Sequence, residues 1–355
     1  MIKTKIQKIK YVYYICNKRA QQGQLSVLRQ LLEITWLQAT QGIGYALYHL
    51  AGMWDKEASW TYKNSFLSQK EYVKNIRKIN LRKYHGLTQY KPIEKAIFKF
   101  FGIPTGTYIG TLNNFWGRTA EGDNLRNCGD MRKLFEKYIN TTICFKIFEG
   151  AGGKGFKAFQ IRKENGAIQA FSLPYDEKHQ LPDLYQALLS ENPDGWVLEE
   201  YITQHSTLAA LNPSSVNTIR MYVFQDRKGI VRVLGGFLRI GRKNSIVDNT
   251  SAGGIMSSID LEKGVLNAAS IVTPELHSMS RHPDHKSQIE GISLPFWREA
   301  KELGIKTLTI LPNTRFAGLD IAITPNGPVM VEVNIQPDVD GLCYLKIPVA
   351  RIFNS

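Results

Sequence analysis

Cysteine is scarce. The 355 residues hold four, Cys16, Cys128, Cys144 and Cys343, far apart and with no C-x-x-C pair. That excludes a small disulfide scaffold and a cysteine-based zinc ribbon, and it suits buried free thiols in a reducing cytoplasm. Long apolar runs are missing too. No stretch approaches the ~20 residues a membrane span needs, which excludes an integral membrane protein. The first residues, Met1-Ile2-Lys3-Thr4-Lys5-Ile6-Gln7-Lys8, are too broken by lysine to form a signal-peptide core. Internal repeats and low-complexity tracts are absent. Hydrophobic residues make up 43% and charged residues 21%, so the chain is globular and not disordered. At roughly 150 residues per unit, two or three structural units are expected.

Acidic residues are few in the first hundred positions. That stretch holds 18 Lys+Arg against 5 Asp+Glu, a net +13 of the total +14. Such asymmetry points to an anionic partner: nucleic acid, an acidic membrane surface or a charged glycan. A solvated basic helical face is the plainer alternative. Tyr11, Tyr13 and Tyr14 interleave the basic residues, but no RNP or zinc-finger signature accompanies them, so no nucleic acid is expected. Lysines 3, 5, 8 and 10 alternate with Ile2, Ile6 and Ile9. This basic-amphipathic start suits peripheral contact with anionic lipid, at the inner face of a membrane, or with a lipid-linked glycan.

Helical spacing runs from about Arg19 to Leu50, through Leu25, Leu28, Leu31, Leu32, Ile34 and Leu37, and predicts an apolar face that docks on the rest of the chain. Further helices are expected over 68–80 and 92–101, with Pro92 suited to a first turn. Beyond residue 105 the texture changes. Strands are expected over 107–112, 142–148 and 196–202, with helices over 131–138, 181–189 and 296–304. Hairpins are expected at 156–171 across Asn165-Gly166, at 217–240 across Arg227-Lys228-Gly229, and at 319–333 across Pro325-Asn326-Gly327. The fold class is α+β, antiparallel sheets with helices on their outer faces.

Two spots carry chemistry. The first is Cys144-Phe145-Lys146-Ile147-Phe148-Glu149-Gly150-Ala151-Gly152-Gly153-Lys154-Gly155-Phe156. A strand delivers Lys146, and a glycine-rich loop follows whose backbone N–H groups suit phosphate oxygens. It is not a Walker A loop, since Gly155 follows Lys154 and a hairpin stands where a helix should. A ligand-free hairpin turn is the alternative. The second is Leu319-Asp320-Ile321 with Val331-Glu332-Val333-Asn334. Glu332 and Asn334 share a strand face, and Asp320 lies on the preceding strand. Such hard oxygen donors suit Mg²⁺ with a triphosphate. An edge hairpin whose polar face meets water is the alternative. In either case Val329, Val331 and Val333 are expected on the core face. His282-Pro283-Asp284-His285 reads as a loop near the acceptor site or a plain surface turn, and not as a metal cluster.

Together these spots resemble the ATP-grasp superfamily from about Lys91 to Asp340. The resemblance implies two α+β lobes gripping ATP, with a basic helical region over 1–90, a lobe over 91–195 carrying the glycine lid, and a lobe over 196–355 carrying the metal site. It implies nucleotide contacts from Lys91 (or Lys95), Lys146, Gly150, Gly152, Gly153, Lys154, Gly155, a hinge Glu199-Glu200-Tyr201-Ile202, and His205. It implies Mg²⁺ on Asp320, Glu332 and Asn334. The stretches 204–220 and 237–254 are similar to the sugar-transfer-associated branch. There Arg220, Arg239 and Asn249 sit where such ligases hold the γ-phosphate and an acyl-phosphate, as suits guanidinium forks. The implied activity joins a small carboxylate to an amine or another nucleophile, with a sugar-linked substrate implied by the branch, and releases ADP and phosphate. A non-catalytic nucleotide- or glycan-binding scaffold is the alternative.

Overall fold

The computed structural model describes residues 5–150 and 152–353. Ile2 and Lys3 of the basic start, and Ala151 of the glycine loop, lie outside the described residues. The chain opens with α1 (Lys5–Gln21), α2 (Val27–Gln41), α3 (Tyr45–Leu50), α4 (Trp60–Lys63) and α5 (Gln69–Ile79). The continuous period over 19–50 is therefore cut twice. Ser26 caps the start of α2 by accepting from the Arg29 N–H, and Gly42, at φ +72°, closes its end. Ser68 caps α5 in the same way. Next come α6 (Gly86–Gln89) and α7 (Lys91–Phe100), with Pro92 in the first turn of α7.

The first sheet is built from β1 (Tyr108–Leu112), β2 (Arg118–Thr119), β3 (Thr142–Ile147), β4 (Lys157–Glu164), β5 (Ala167–Ser172), β6 (Glu177–Gln180) and β7 (Trp196–Glu200). Its order is β2-β1-β7-β3-β4-β5-β6, antiparallel at every pairing. Asn165 and Gly166 both take positive φ at the β4–β5 turn, as a two-residue hairpin of the right twist requires. Helices α8 (Cys128–Glu136) and α9 (Leu181–Glu191) close a core around Phe135, Phe145, Leu184 and Trp196.

The second sheet holds β8 (Thr218–Gln225), β9 (Val231–Ile240), β10 (Ile255–Ile259), β11 (Leu266–Ile271), β12 (His277–Met279), β13 (Phe316–Thr324) and β14 (Gly327–Asn334). Its order is β12-β11-β10-β9-β8-β13-β14, again antiparallel. The remaining helices are α10 (Ser206–Ala209), α11 (Trp297–Thr309), α12 (Val339–Tyr344) and α13 (Val349–Phe353). One face of this sheet packs on α11. The other shares a core with Leu37, Tyr48, Phe66 and Tyr72 of the N-terminal helices and with Leu342 of α12. Burial on both faces is why β8 and β13 read as apolar runs without alternation.

Two expectations hold only in part. Of the apolar face of α2, Leu37 and Ile34 dock on the core while Leu28 and Leu32 are exposed, and the polar Gln30 and Glu33 are buried beside Leu37. The inward Glu33 and the Gln30 amide nitrogen are engaged, while Gln30 Oε1 is buried without a partner. Glu33 accepts from Arg29 (2.8 Å), Lys63 (2.7 Å) and the Tyr48 hydroxyl (2.9 Å), and Gln30 donates to the carbonyls of Cys16 and Leu25. On β14, Met330 and Val333 are buried, while Val331 faces the cleft described below. A bulge explains it: Asp320 pairs with Glu332 but Ile321 pairs with Met330, leaving Val331 as the extra residue.

Candidate active site

A cleft of about 520 Å³ lies between the two sheets and is lined from both. Its lysine end is built on β3 and β7. Cys144 pairs with Glu199 across these strands, which brings Lys146, two residues on, to the same face. Lys146 Nζ lies 2.7 Å from Glu199 Oε2, and Lys95 Nζ of α7 lies 3.3 Å from the same oxygen. Burial opposes the Lys146 charge, but Glu199 outweighs it and holds this pKa above the ordinary lysine value. Lys95, more desolvated, is pushed down. Burial raises the Glu199 carboxyl, yet the two ammoniums bring it below the usual range. Glu199 Oε1 is buried without a partner. Glu199 is thus first a counter-ion for two lysines, and Glu200, Tyr201 and Ile202 continue along the cleft wall.

The glycine loop leaves β3 and crosses toward the second sheet. Gly152, Gly153 and Gly155 all take φ near +70°, where a Cβ is strained. At Gly153 a Cβ would also stand 2.8 Å from Asn249 Nδ2 and 3.0 Å from Val247 Cγ1. The loop therefore rests against residues 247–249 of the opposite lobe. Lys91 Nζ reaches the Gly150 carbonyl at 3.4 Å, and Gly150, Lys91 and Lys154 all line the cleft.

The arginine end is built on β8, β9 and β13. Arg220 stands directly opposite Asp320 in register. Asp320 accepts from Arg220 Nε (2.6 Å) and Nη2 (3.2 Å) and from Arg239 Nη2 (3.0 Å) and Nη1 (3.3 Å). Arg239 Nη1 also donates to Asn249 Oδ1 at 3.2 Å. Burial opposes the Arg220 charge, and Asp320 more than restores it. Asp320 also faces Glu332 in register, and Asn334 Nδ2 lies 3.5 Å from Asp320 Oδ2. Glu332 makes no hydrogen bond or ion pair among the described residues, and burial raises its pKa. Among these residues no three His, Cys, Asp or Glu side chains stand together as a metal cage. The donor set is two carboxylates and an amide oxygen, which fits Mg²⁺, a cation that keeps several waters and takes few protein ligands.

Sequence reasoning missed several groups. Asp248 is buried at the cleft wall, accepting from the Thr218 N–H (2.8 Å) and hydroxyl (2.5 Å), and burial pushes its pKa up to about 7. Glu94 of α7 accepts from the Val333 N–H at 2.9 Å and pins that helix to the strand bearing Glu332. Neither contact has a local signal, because each joins residues far apart in the chain. His205 does not line the cleft. Its Nδ1 accepts from the Thr207 N–H at the start of α10, and its ring packs edge-on against Phe296. The His282–His285 turn is structural: Asp284 pairs with Arg242 at 2.6 Å.

The family described as sugar-transfer associated ATP-grasp matches residues 70–344. The chain belongs to that family. The match starts in α5, earlier than the Lys91 boundary read from motifs. No curated protein matches. Among solved structures, this ATP-grasp protein is similar to a biotin carboxylase from Campylobacter jejuni, with 12% identity, 76% of this chain and 46% of that one covered, and a TM-score of 0.45. It is also similar to an N5-carboxyaminoimidazole ribonucleotide synthetase from Thermotoga maritima (10% identity, 79% and 52% covered, TM-score 0.38). A third is an L-amino acid ligase from Bacillus licheniformis (11% identity, 75% and 48% covered, TM-score 0.37). The chain spans about half the length of these proteins.

Proposed function

We propose that this ATP-grasp protein is an ATP-dependent ligase that joins a carboxylate to an amine, or to another nucleophile, through an acyl-phosphate. The observation that carries the reading is the placement of two opposed charge systems across one cleft. Lys146 with Glu199 stands at one end, and Arg220–Asp320–Arg239 beside Glu332 at the other, under one glycine loop. ATP would lie between them, its adenine and ribose along Glu200, Tyr201 and Ile202 and its phosphates toward Lys146, Lys91 and Lys154. The partnerless Glu199 Oε1 would accept from a ribose hydroxyl. Asp320, Glu332 and Asn334 would hold Mg²⁺, which when bound neutralises charge on the phosphates.

The chain's own contribution is positioning and electrostatics. A substrate carboxylate oxygen attacks the γ-phosphorus and ADP leaves. The amine then attacks the acyl carbon and phosphate leaves. Arg220, Arg239 and Asn249 lie where the transferred phosphoryl group would pass, and the loop at Gly153 excludes water. The family's description supports one substrate being a sugar derivative or surface-glycan precursor. Peripheral attachment at a membrane surface belongs to the same reading. No helix among the described residues is long and apolar enough to cross a membrane.

The test pairs the purified chain with Mg–ATP, candidate sugar acids or amino acids, and hydroxylamine as surrogate amine. Carboxylate-dependent release of ADP with hydroxamate formation is expected. AMP and pyrophosphate would overturn the acyl-phosphate route. Nucleotide binding without turnover under any carboxylate and amine pair would leave the non-catalytic scaffold.

A further inference from the structure

Besides the apolar residues they bury (Ile15, Ile34 and Leu37), the N-terminal helices leave a second apolar side exposed. On α2, Leu28 and Leu32 are 69% and 60% exposed, and Trp36 continues the stripe at four-residue spacing. Trp60 of α4 packs edge-on against Trp36, with ring centroids 5.1 Å apart. Between α2 and α4 runs an open groove of about 730 Å³ whose lining includes Leu32, Trp36, Ala39 and Trp60. On α1, residues 5–10 are all exposed, including Ile6 and Ile9 at 65% and 68%. A register error does not explain the stripe, because the inward face of α2 is committed to the protein through Leu37 in the core and through the hydrogen bonds of Gln30 Nε2 and Glu33.

Charge selects the occupant. No acidic residue occurs before Glu33, and Glu33 is buried and paired. Cations outnumber acids around the exposed apolar residues: Lys5, Lys8 and Lys10 on α1, Lys56 before α4, and Arg29, whose guanidinium lies 5.9 Å from the Trp60 ring centre, against an exposed Glu57 and a half-buried Asp55. A second copy of this chain would bring like charges together. Leucine and isoleucine do not stack on bases, so the aliphatic half of the surface has no role on nucleic acid. Aliphatic residues with tryptophans and a mainly cationic border suit hydrocarbon beneath anionic headgroups.

We propose that α1, α2 and Trp60 form a docking face for an anionic lipid bilayer. The leucines and tryptophans enter the interface, and the lysines and Arg29 contact the headgroups. This names the attachment surface within the reading above, and it does not depend on the ligase chemistry.

The test is co-sedimentation of the full chain, without nucleotide, on phosphatidylcholine vesicles with and without about 30% phosphatidylglycerol. Binding is expected only to the anionic vesicles and should fall steeply with salt. The double variant Leu28→Glu/Leu32→Glu should bind about tenfold or more weakly. Both sites are exposed, so its thermal unfolding and its ATP turnover in solution should match those of wild type. The triple variant Lys5→Gln/Lys8→Gln/Lys10→Gln should lose much of the salt dependence. No sedimentation with anionic vesicles, equal sedimentation with neutral ones, or undiminished binding by the double variant would overturn the proposal. So would a lipid-free dimer abolished by Leu28→Glu/Leu32→Glu, or salt-sensitive retention of RNA without vesicle binding. Vesicle binding with no carboxylate-dependent ADP release would instead count against the ligase reading alone.

Discussion

Asp320 and Glu332 face each other in register, yet their surroundings differ, and substitution should separate them. Asp320 is enclosed by two guanidiniums, whereas Glu332 has no ion pair among the described residues. Glu332→Gln should abolish ADP release while leaving the unfolding temperature within about 2 °C of wild type, since it removes charge from a side chain without a protein partner. Asp320→Asn should abolish turnover and also destabilise by about 3 kcal/mol, because Arg220 and Arg239 would remain buried without their counter-charge. Equal unfolding temperatures for the two variants would refute the distinction. Asp248 offers a pH test. Its pKa rises to about 7 in the fold against about 3.9 unfolded. Between these values the folded state binds the extra proton, so stability falls as pH rises from 4 to 7 and levels off above. Asp248→Asn lacks this dependence. Its stability relative to wild type should grow over that window by a few kcal/mol at most, read from unfolding temperatures at intervals from pH 4 to 8.

At the scale of elements, two glycines with the same backbone strain should behave differently. Gly153 and Gly166 have φ of +70° and +80°. A Cβ at Gly166 meets nothing within 4 Å, whereas at Gly153 it meets Asn249 and Val247 of the opposite lobe. Each alanine substitution should cost about 1 kcal/mol of stability from the left-handed backbone. Only Gly153→Ala should also prevent the loop from seating, with turnover falling tenfold or more and Gly166→Ala near wild type. The same elements show why part of the molecule was readable in sequence. Asp320, Glu332 and Asn334 lie on one hairpin, so strand alternation alone places them on one face. Lys146 and the loop are contiguous in sequence. The Lys95–Glu199 pair joins α7 to β7 across about a hundred residues, and no local pattern announces it. The burial of Gln30 and Glu33 on α2 was hidden for a related reason. Glu33 is tolerable inside only because Tyr48 and Lys63, from other helices, meet it there.

At the scale of the whole molecule, the basic region is latched to the lobe of the second sheet near the cleft. The loop between β11 and β12 carries Glu275, which accepts from Lys18 (2.5 Å) and from the Tyr14 hydroxyl (3.2 Å) of α1, while Arg19 Nη2 donates to the Glu275 carbonyl at 2.8 Å. Val272 of that same loop lines the cleft. A helix bound outside thus fixes a segment of the cleft wall. The Lys18 hydrogen bond, helped by the charge of His277, outweighs burial and holds the Glu275 pKa below the ordinary glutamate value. A depressed carboxyl contributes stability above its unfolded pKa and loses it as pH falls through the folded one. The latch is therefore intact at neutral pH and weakens below about pH 4.3. Lys18 is partly exposed, so Glu275→Gln should cost only about 1 kcal/mol at neutral pH. The effect should be local: limited proteolysis within 5–25 should quicken several-fold while the unfolding temperature falls by about 2 °C. Because Val272 walls the cleft, KM for the acceptor should rise while kcat stays within about twofold. Acid below pH 4.3 should quicken wild-type cleavage toward the variant's rate. Identical cleavage rates for wild type and Glu275→Gln at neutral pH would show that other contacts hold α1 and that Glu275 does not couple it to the cleft.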